Sequence, residues 1–146
     1  MEIVTKYPPV REEQILTLLQ EFDAEFVPRL SQRTDLPAYA SRLAEHAVWI
    51  FAYENGVMTG HCAVYMNQKD CAFISSIAVK KARQGRGTGS LLWKRTQEEA
   101  LVRGISCIAL KVYDKNAAGI RFYERHGCHM TKREGEWLTM CKKVAE

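Results

Sequence analysis

A short β-branched run stops at a turn with a glycine at every second position, and helical spacing takes over at once. Few folds accommodate that succession. Ile74, Ile77, Ala78 and Val79 suit a buried strand, and Lys80-Lys81-Ala82-Arg83-Gln84 leads from it into Gly85-Arg86-Gly87-Thr88-Gly89. Leu92, Trp93, Thr96 and Ala100 then recur on one helical face, and Gly104 is the expected C′ residue that closes the helix. A strand, a glycine turn and a helix in direct order put unpaired amide N–H groups at the positive end of a helix dipole, and the glycines let a ligand approach the backbone. That combination cradles phosphate oxygens. Lys80, Lys81, Arg83 and Arg86 add positive charge around it.

Two common phosphate cradles are excluded. A P-loop needs G-x-x-x-x-G-K-[ST], and no Lys-Ser or Lys-Thr pair follows a glycine in this turn. A dinucleotide fingerprint needs G-x-G-x-x-G, and Ser90 stands where its third glycine belongs.

The remainder of the chain supplies a complete α/β set of elements. Residues 1–7 read as an edge strand ended by Pro8-Pro9, and residues 11–23 as a helix with Ile15, Leu18, Leu19 and Phe22 on one face. Asp35 is the expected N-cap of a second helix, with Pro37 in its first turn and Leu36, Ala40, Leu43, Ala44 and Ala47 on its apolar side. Residues 49–54 and 57–67 flank Asn55-Gly56, the signature of a type I′ hairpin. Residues 105–112 read as a strand, 116–126 as a helix, and a last strand pair turns at Glu134-Gly135-Glu136 and ends over 137–144. The expected order is β-α-α-β-β-β-α-β-α-β-β, a mixed α+β sheet with helices on both faces, in a single domain over residues 1–146.

Gln84, Gly87 and Gly89 fill the pattern [RQ]-x-x-G-x-[GA], preceded by Ile77-Ala78-Val79 and followed by Leu91-Leu92. Farther on, Asn116, Ala117-Ala118-Gly119 and Phe122-Tyr123-Glu124-Arg125-His126-Gly127-Cys128 fill N-x-x-A/G-x-x-x-Y-[EK]-x-x-G-[FC]. Together, in this order, the two segments resemble the GNAT superfamily of acetyl-CoA-dependent N-acetyltransferases. The likeness covers residues 74–128, and extends to the N-terminal half only in element order.

The resemblance implies a fold and a set of roles. The strand of Ile77, Ala78 and Val79 would splay from that of residues 105–112, its free backbone groups pairing with the pantetheine amides of acetyl-CoA, and one N–H would stabilise the oxyanion. Gln84, Gly85, Arg86, Gly87, Thr88, Gly89 and Ser90 would receive the pyrophosphate. Asn116 would touch the cofactor arm and also serves as a helix N-cap. Tyr123 would protonate the departing thiolate, although its place on a face with Ile120 also suits a core aromatic. The base stays open among His61, Tyr65, Ser75 and a water chain, since Lys111 is the only charged group on the strand over 105–112. In the family, the region corresponding to Phe26–Ser31 commonly walls the acceptor site; a packed connector is the alternative. The implied activity is acetyl transfer to a small-molecule or protein amine by direct attack, and a CoA-binding sensor or scaffold without catalysis is the alternative.

Composition narrows the surroundings. The formal charge of +4 is concentrated between Lys80 and Arg95, which fits an anionic cofactor better than nucleic acid, whose binders carry broader basic stripes with interleaved aromatics. No run approaches the ~18 apolar residues of a membrane span. Residues 1–30 carry charges throughout, so neither a signal nor a transit peptide is expected. Cys62, Cys71, Cys107, Cys128 and Cys141 read as buried reduced thiols of a cytoplasmic protein. His126, Cys128 and His129 lack a partner set, so no metal is expected. Trp137 and the last strands either meet a second subunit in a homodimer or close this chain's own core.

Overall fold

A computed structural model of the chain describes residues 1–144. Ala145 and Glu146, the end of the expected 1–146 domain, lie outside the described residues. The elements are β1 (Glu2–Lys6), α1 (Glu12–Phe22), α2 (Leu36–His46), β2 (Val48–Glu54), β3 (Val57–Tyr65), β4 (Ala72–Val79), α3 (Thr88–Val102), β5 (Cys107–Tyr113), α4 (Ala117–Arg125), β6 (His129–Glu134) and β7 (Trp137–Lys143). This is the order read from the sequence.

Local chemistry sets most boundaries. Asp35 accepts a hydrogen bond from the Ala38 N–H and starts α2. Asn55 (φ 51°) and Gly56 (φ 77°) turn β2 into β3. Helix α3 ends in a Schellman motif: Gly104 at φ 71° donates to Leu101 O, and Ile105 donates to Ala100 O. Ile105 therefore belongs to the helix cap, and β5 begins at Cys107 rather than at residue 105.

Seven strands form one sheet in the order β1-β2-β3-β4-β5-β7-β6. Among the described strands, only β4 and β5 run parallel. One face is covered by α1 and α2, where Ile15, Leu18, Leu19, Phe22, Leu43 and Ala44 pack on Trp49, Phe51 and Ala63. The other receives Leu92, Trp93 and Ala100 of α3 against Val48, Ile50, Ala52, Cys62 and Val64. Strand β2 sends alternate residues to the two clusters, which is why it reads as an unbroken apolar run.

The break in the sheet positions the site. Strand β4 pairs with β5 only over Ala72–Ile74 against Ile108–Leu110, then continues to Val79 beside β3. Strand β5 meanwhile stays with β7 as far as Tyr113 opposite Trp137. On its β3 side, the β4 ladder passes from Ile74 opposite Val64 to Ser76 opposite Ala63, so Ser75 is a bulge. A bulge bends its strand and increases local twist. The two parallel strands consequently diverge from Ser75 onward.

The segment between α1 and α2 is two short 3₁₀ turns, Asp23–Glu25 and Leu30–Gln32. Asp23 ties them together by accepting from the Ser31 N–H (2.8 Å) and Ser31 Oγ (2.7 Å). Leu30 is buried and Phe26 packs on the same cluster, so this connector contributes to the core.

Candidate active site

The divergence opens a cleft of about 390 Å³ between β4, the α3 turn and α4. Ile77, Ala78, Val79, Gln84, Gly85, Gly87, Thr88, Gly89, Ser90, Asn116 and Tyr123 all line it. The residues singled out in the sequence thus meet in one place, with one exception. Arg86 is absent from the lining, and its guanidinium lies 3.9 Å from Glu54 at the end of β2.

The floor of the cleft is the N-terminus of α3. Gly87 is its N-cap at φ 82°, Gly85 precedes it at φ 81°, and no side chain caps the helix. Thr88 is buried, and its hydroxyl has no hydrogen-bond partner among the described residues. An orphaned buried hydroxyl beside uncapped helical N–H groups is costly unless a ligand oxygen completes it. That donor set fits a phosphate. Gly89 lines the cleft and also serves packing. A Cβ there would lie 2.8 Å from the Phe122 ring, so the glycine lets α4 close against α3.

Charge around the cleft is partly neutralised from within. Arg83 reaches Glu54 at 3.0 Å, and Lys80 lies 3.9 Å from Glu21. Arg125 of α4 lines the cleft from the opposite side. Gln84, expected to donate to the ligand, donates its amide to Val79 O at 3.0 Å and braces the turn against the strand end. Glu54 was missed by sequence reasoning because it lies far from both motifs, and Arg125 because it fills an unspecified position of the second one.

Asn116 caps α4 by accepting from the Gly119 N–H at 3.0 Å. This leaves its amide nitrogen for the cleft. Ser90 lies 3.0 Å from His126 Nε2, while His126 Nδ1 lies 2.8 Å from Phe122 O. The carbonyl requires the proton on Nδ1, so Nε2 accepts from Ser90. Tyr123 packs against the core cluster and also lines the cleft. Burial, followed by the nearby thiols of Cys62 and Cys128, holds its phenol above the ordinary tyrosine range. It is a proton donor throughout the neutral range.

The open alternatives for the base separate clearly. His61 is fully buried among Phe22, Phe26 and Trp49, with Nε2 2.8 Å from Ser76 Oγ. Burial lowers its pKa to about 3, so it is a neutral packing residue. Ser75 lies 2.6 Å from the Tyr39 hydroxyl, which also donates to Ser75 O at 2.9 Å. Tyr65 packs on the α1–α2 face, where burial raises its phenol pKa. Glu25, from the connector, is half-buried and is the one carboxylate lining the cleft among the described residues. No periodicity or motif marks it.

Cys62 and Cys128 are buried as expected, whereas Cys71, Cys107 and Cys141 are only partly buried. Their shallower burial follows from lying near strand ends. Burial pushes the Cys62 thiol up to about 12 and Cys128 to about 11. No group of three His, Cys, Asp or Glu able to hold a metal exists among the described residues. Among them, no helix is long and apolar enough to cross a membrane.

Residues 12–128 match the sequence profile of the Acetyltransferase (GNAT) family. The chain belongs to the GNAT acetyltransferase family. GNAT enzymes take their acetyl group from acetyl-CoA without a metal, and the phosphate cradle and open strand edge of this protein fit that co-substrate. Solved structures of the same architecture include the PaiA N-acetyltransferase from Thermoplasma acidophilum in complex with coenzyme A (16% identity, TM-score 0.75, 98% of this chain and 99% of that one). They also include the ribosomal-protein-S18-alanine N-acetyltransferase from Escherichia coli (19%, 0.77, 99% and 96%) and the aminoglycoside 6'-N-acetyltransferase from Enterococcus faecium (14%, 0.78, 100% and 98%). At these identities the likeness is one of fold. No curated protein sequence matches the chain.

Proposed function

We propose that this GNAT protein is a single-domain N-acetyltransferase that moves an acetyl group from acetyl-CoA to an acceptor amine by direct attack. The observation that carries the reading is the convergence, in one cleft, of an unpaired β4 edge, an uncapped α3 N-terminus with the orphaned Thr88 hydroxyl, and the protonated phenol of Tyr123. Gly85, Gly87, Thr88, Gly89 and Ser90 hold the pyrophosphate. Ile77, Ala78 and Val79 orient the arm through backbone groups, and Asn116 donates to it. When bound, acetyl-CoA supplies an activated thioester carbonyl and a thiolate leaving group.

An N–H of the open β4 edge stabilises charge that develops on the carbonyl oxygen. Tyr123 Oη carries the proton for the departing sulfur. An ammonium must shed a proton before it attacks. What supports Glu25 as the receiver, directly or through water, is its position as the one carboxylate of the lining. A cysteinyl route is disfavoured because Cys62 and Cys128 remain protonated at neutral pH.

The test is thiol release from acetyl-CoA across a broad amine panel, with the native protein and Tyr123→Phe. Turnover on an amine class, with kcat reduced about 100-fold or more in the variant and KM for acetyl-CoA little changed, is expected. Tight CoA binding with no turnover on any amine would favour a sensor instead.

A further inference from the structure

The same strand divergence borders a second cavity of about 410 Å³, whose lining includes Arg33, Ser75, Lys111, Glu134 and Trp137. It shares no lining residue with the CoA cleft, yet both are walled by β4 beside the Ser75 bulge. One cavity serves the co-substrate, and the other is left for its partner in the reaction. Its volume is within the range of small-molecule sites.

The charges of this cavity are unbalanced. Arg33 lies over the Trp137 ring, 5.0 Å from its centroid, and forms no ion pair among the described residues. Lys111, on β5, likewise has no carboxylate within ion-pair distance among the described residues. Glu134, the only acid in the wall, is already 3.2 Å from Lys132. A guanidinium stacked on an aromatic face uses that face and keeps its edge N–H groups free, which is the geometry that grips a carboxylate or phosphate with two parallel hydrogen bonds. Two unpaired cations also repel a polycationic amine.

We infer that the acceptor is a small amine that also bears an oxyanion, a carboxylate or a phosphate, gripped by Arg33 and Lys111 in the cavity beside Ser75 and Trp137. The inference rests on the acetyltransferase reading. The anionic group anchors the acceptor away from the reacting centre, and the amine reaches the thioester through the gap between β4 and β5. The energy of the anchor positions the nucleophile, so its loss raises the acceptor KM first.

The experiment compares matched amines: phenylalanine with phenethylamine, lysine with cadaverine, and phosphoethanolamine with ethanolamine. The native enzyme is expected to prefer the anionic member of at least one pair by about 10-fold or more in kcat/KM, and the pairs separate carboxylate from phosphate. Arg33→Gln should remove most of that preference, and Lys111→Gln part of it. Neither should change the KM for acetyl-CoA, and kcat/KM should fall further for the anionic amine than for its neutral counterpart. Equal or better turnover of the neutral and polycationic amines, acetylation of peptides alone, or a preference that survives both substitutions would overturn the inference. If no amine is acetylated, the transferase reading fails separately, and the cavity is judged by binding. Titrating the same anionic amines onto the CoA-loaded protein should move the NMR signals of the Trp137 indole and Arg33 Nε in the native protein and leave the Trp137 indole of Arg33→Gln unmoved. Unmoved signals would overturn the site as well.

Discussion

Gly87 holds a left-handed conformation at φ 82°, and a Cβ there would meet no atom within 4 Å. Gly87→Leu therefore carries a backbone penalty of about 1–2 kcal/mol without a clash, and the protein still folds. Its affinity for CoA, read by calorimetry, should fall at least about 10-fold, because the side chain intrudes on a cradle built from bare backbone. Retained affinity in the folded variant would refute the cradle. His61 makes a different prediction. Its pKa falls from about 6.5 in the unfolded chain to about 3 in the fold, so the unfolded state takes up the proton first as pH falls. The stability that depends on neutral His61 is present above about pH 6.5 and drains away toward pH 3, at a slope approaching about 1.4 kcal/mol per pH unit. In His61→Leu the urea midpoint should fall less between pH 7 and pH 5 than in the native protein. Identical slopes would show that His61 is not held neutral.

At the scale of elements, Asn116 joins structure to function, because one side chain both caps α4 and lines the cleft. Asn116→Ala should cost about 1 kcal/mol through loss of the cap, whereas Asn116→Asp keeps an acceptor for the Gly119 N–H and stays near native stability. Both variants should raise the KM for acetyl-CoA, since neither retains the amide donor. Thermal unfolding and steady-state kinetics on the pair separate the roles; an unchanged KM in Asn116→Asp would confine Asn116 to capping. The elements themselves were readable where local chemistry dictates them. Asp35, Asn55-Gly56 and Gly104 each enforce a cap or turn that needs no distant partner. The stripes Ile15-Leu18-Leu19-Phe22 and Leu92-Trp93-Thr96-Ala100 are buried as their spacing required. Thr96 is tolerated there because its hydroxyl donates to Leu92 O at 2.8 Å.

The molecule as a whole brings together what the sequence keeps apart. The cradle was legible because its residues are consecutive, and Asn116 and Tyr123 because they recur at fixed spacing. Arg86 was misplaced in the cradle because the pull of Glu54, far earlier in the chain, is a tertiary fact. Arg33, Trp137 and Lys111 come from a connector and two strands, and only the mixed order β4-β5-β7 sets them around one cavity. Glu25 reaches the site from outside any motif, through the fold of the α1–α2 segment. If the divergence of β4 from β5 forms the acetyl-CoA site, amide chemical shifts of the labelled protein during titration with acetyl-CoA will report it. The largest shifts are expected at Ile77–Val79, Gly85–Ser90 and Asn116, with slowed amide exchange along the free β4 edge. Shifts confined to the outer lysines and arginines, with that edge unprotected, would contradict it.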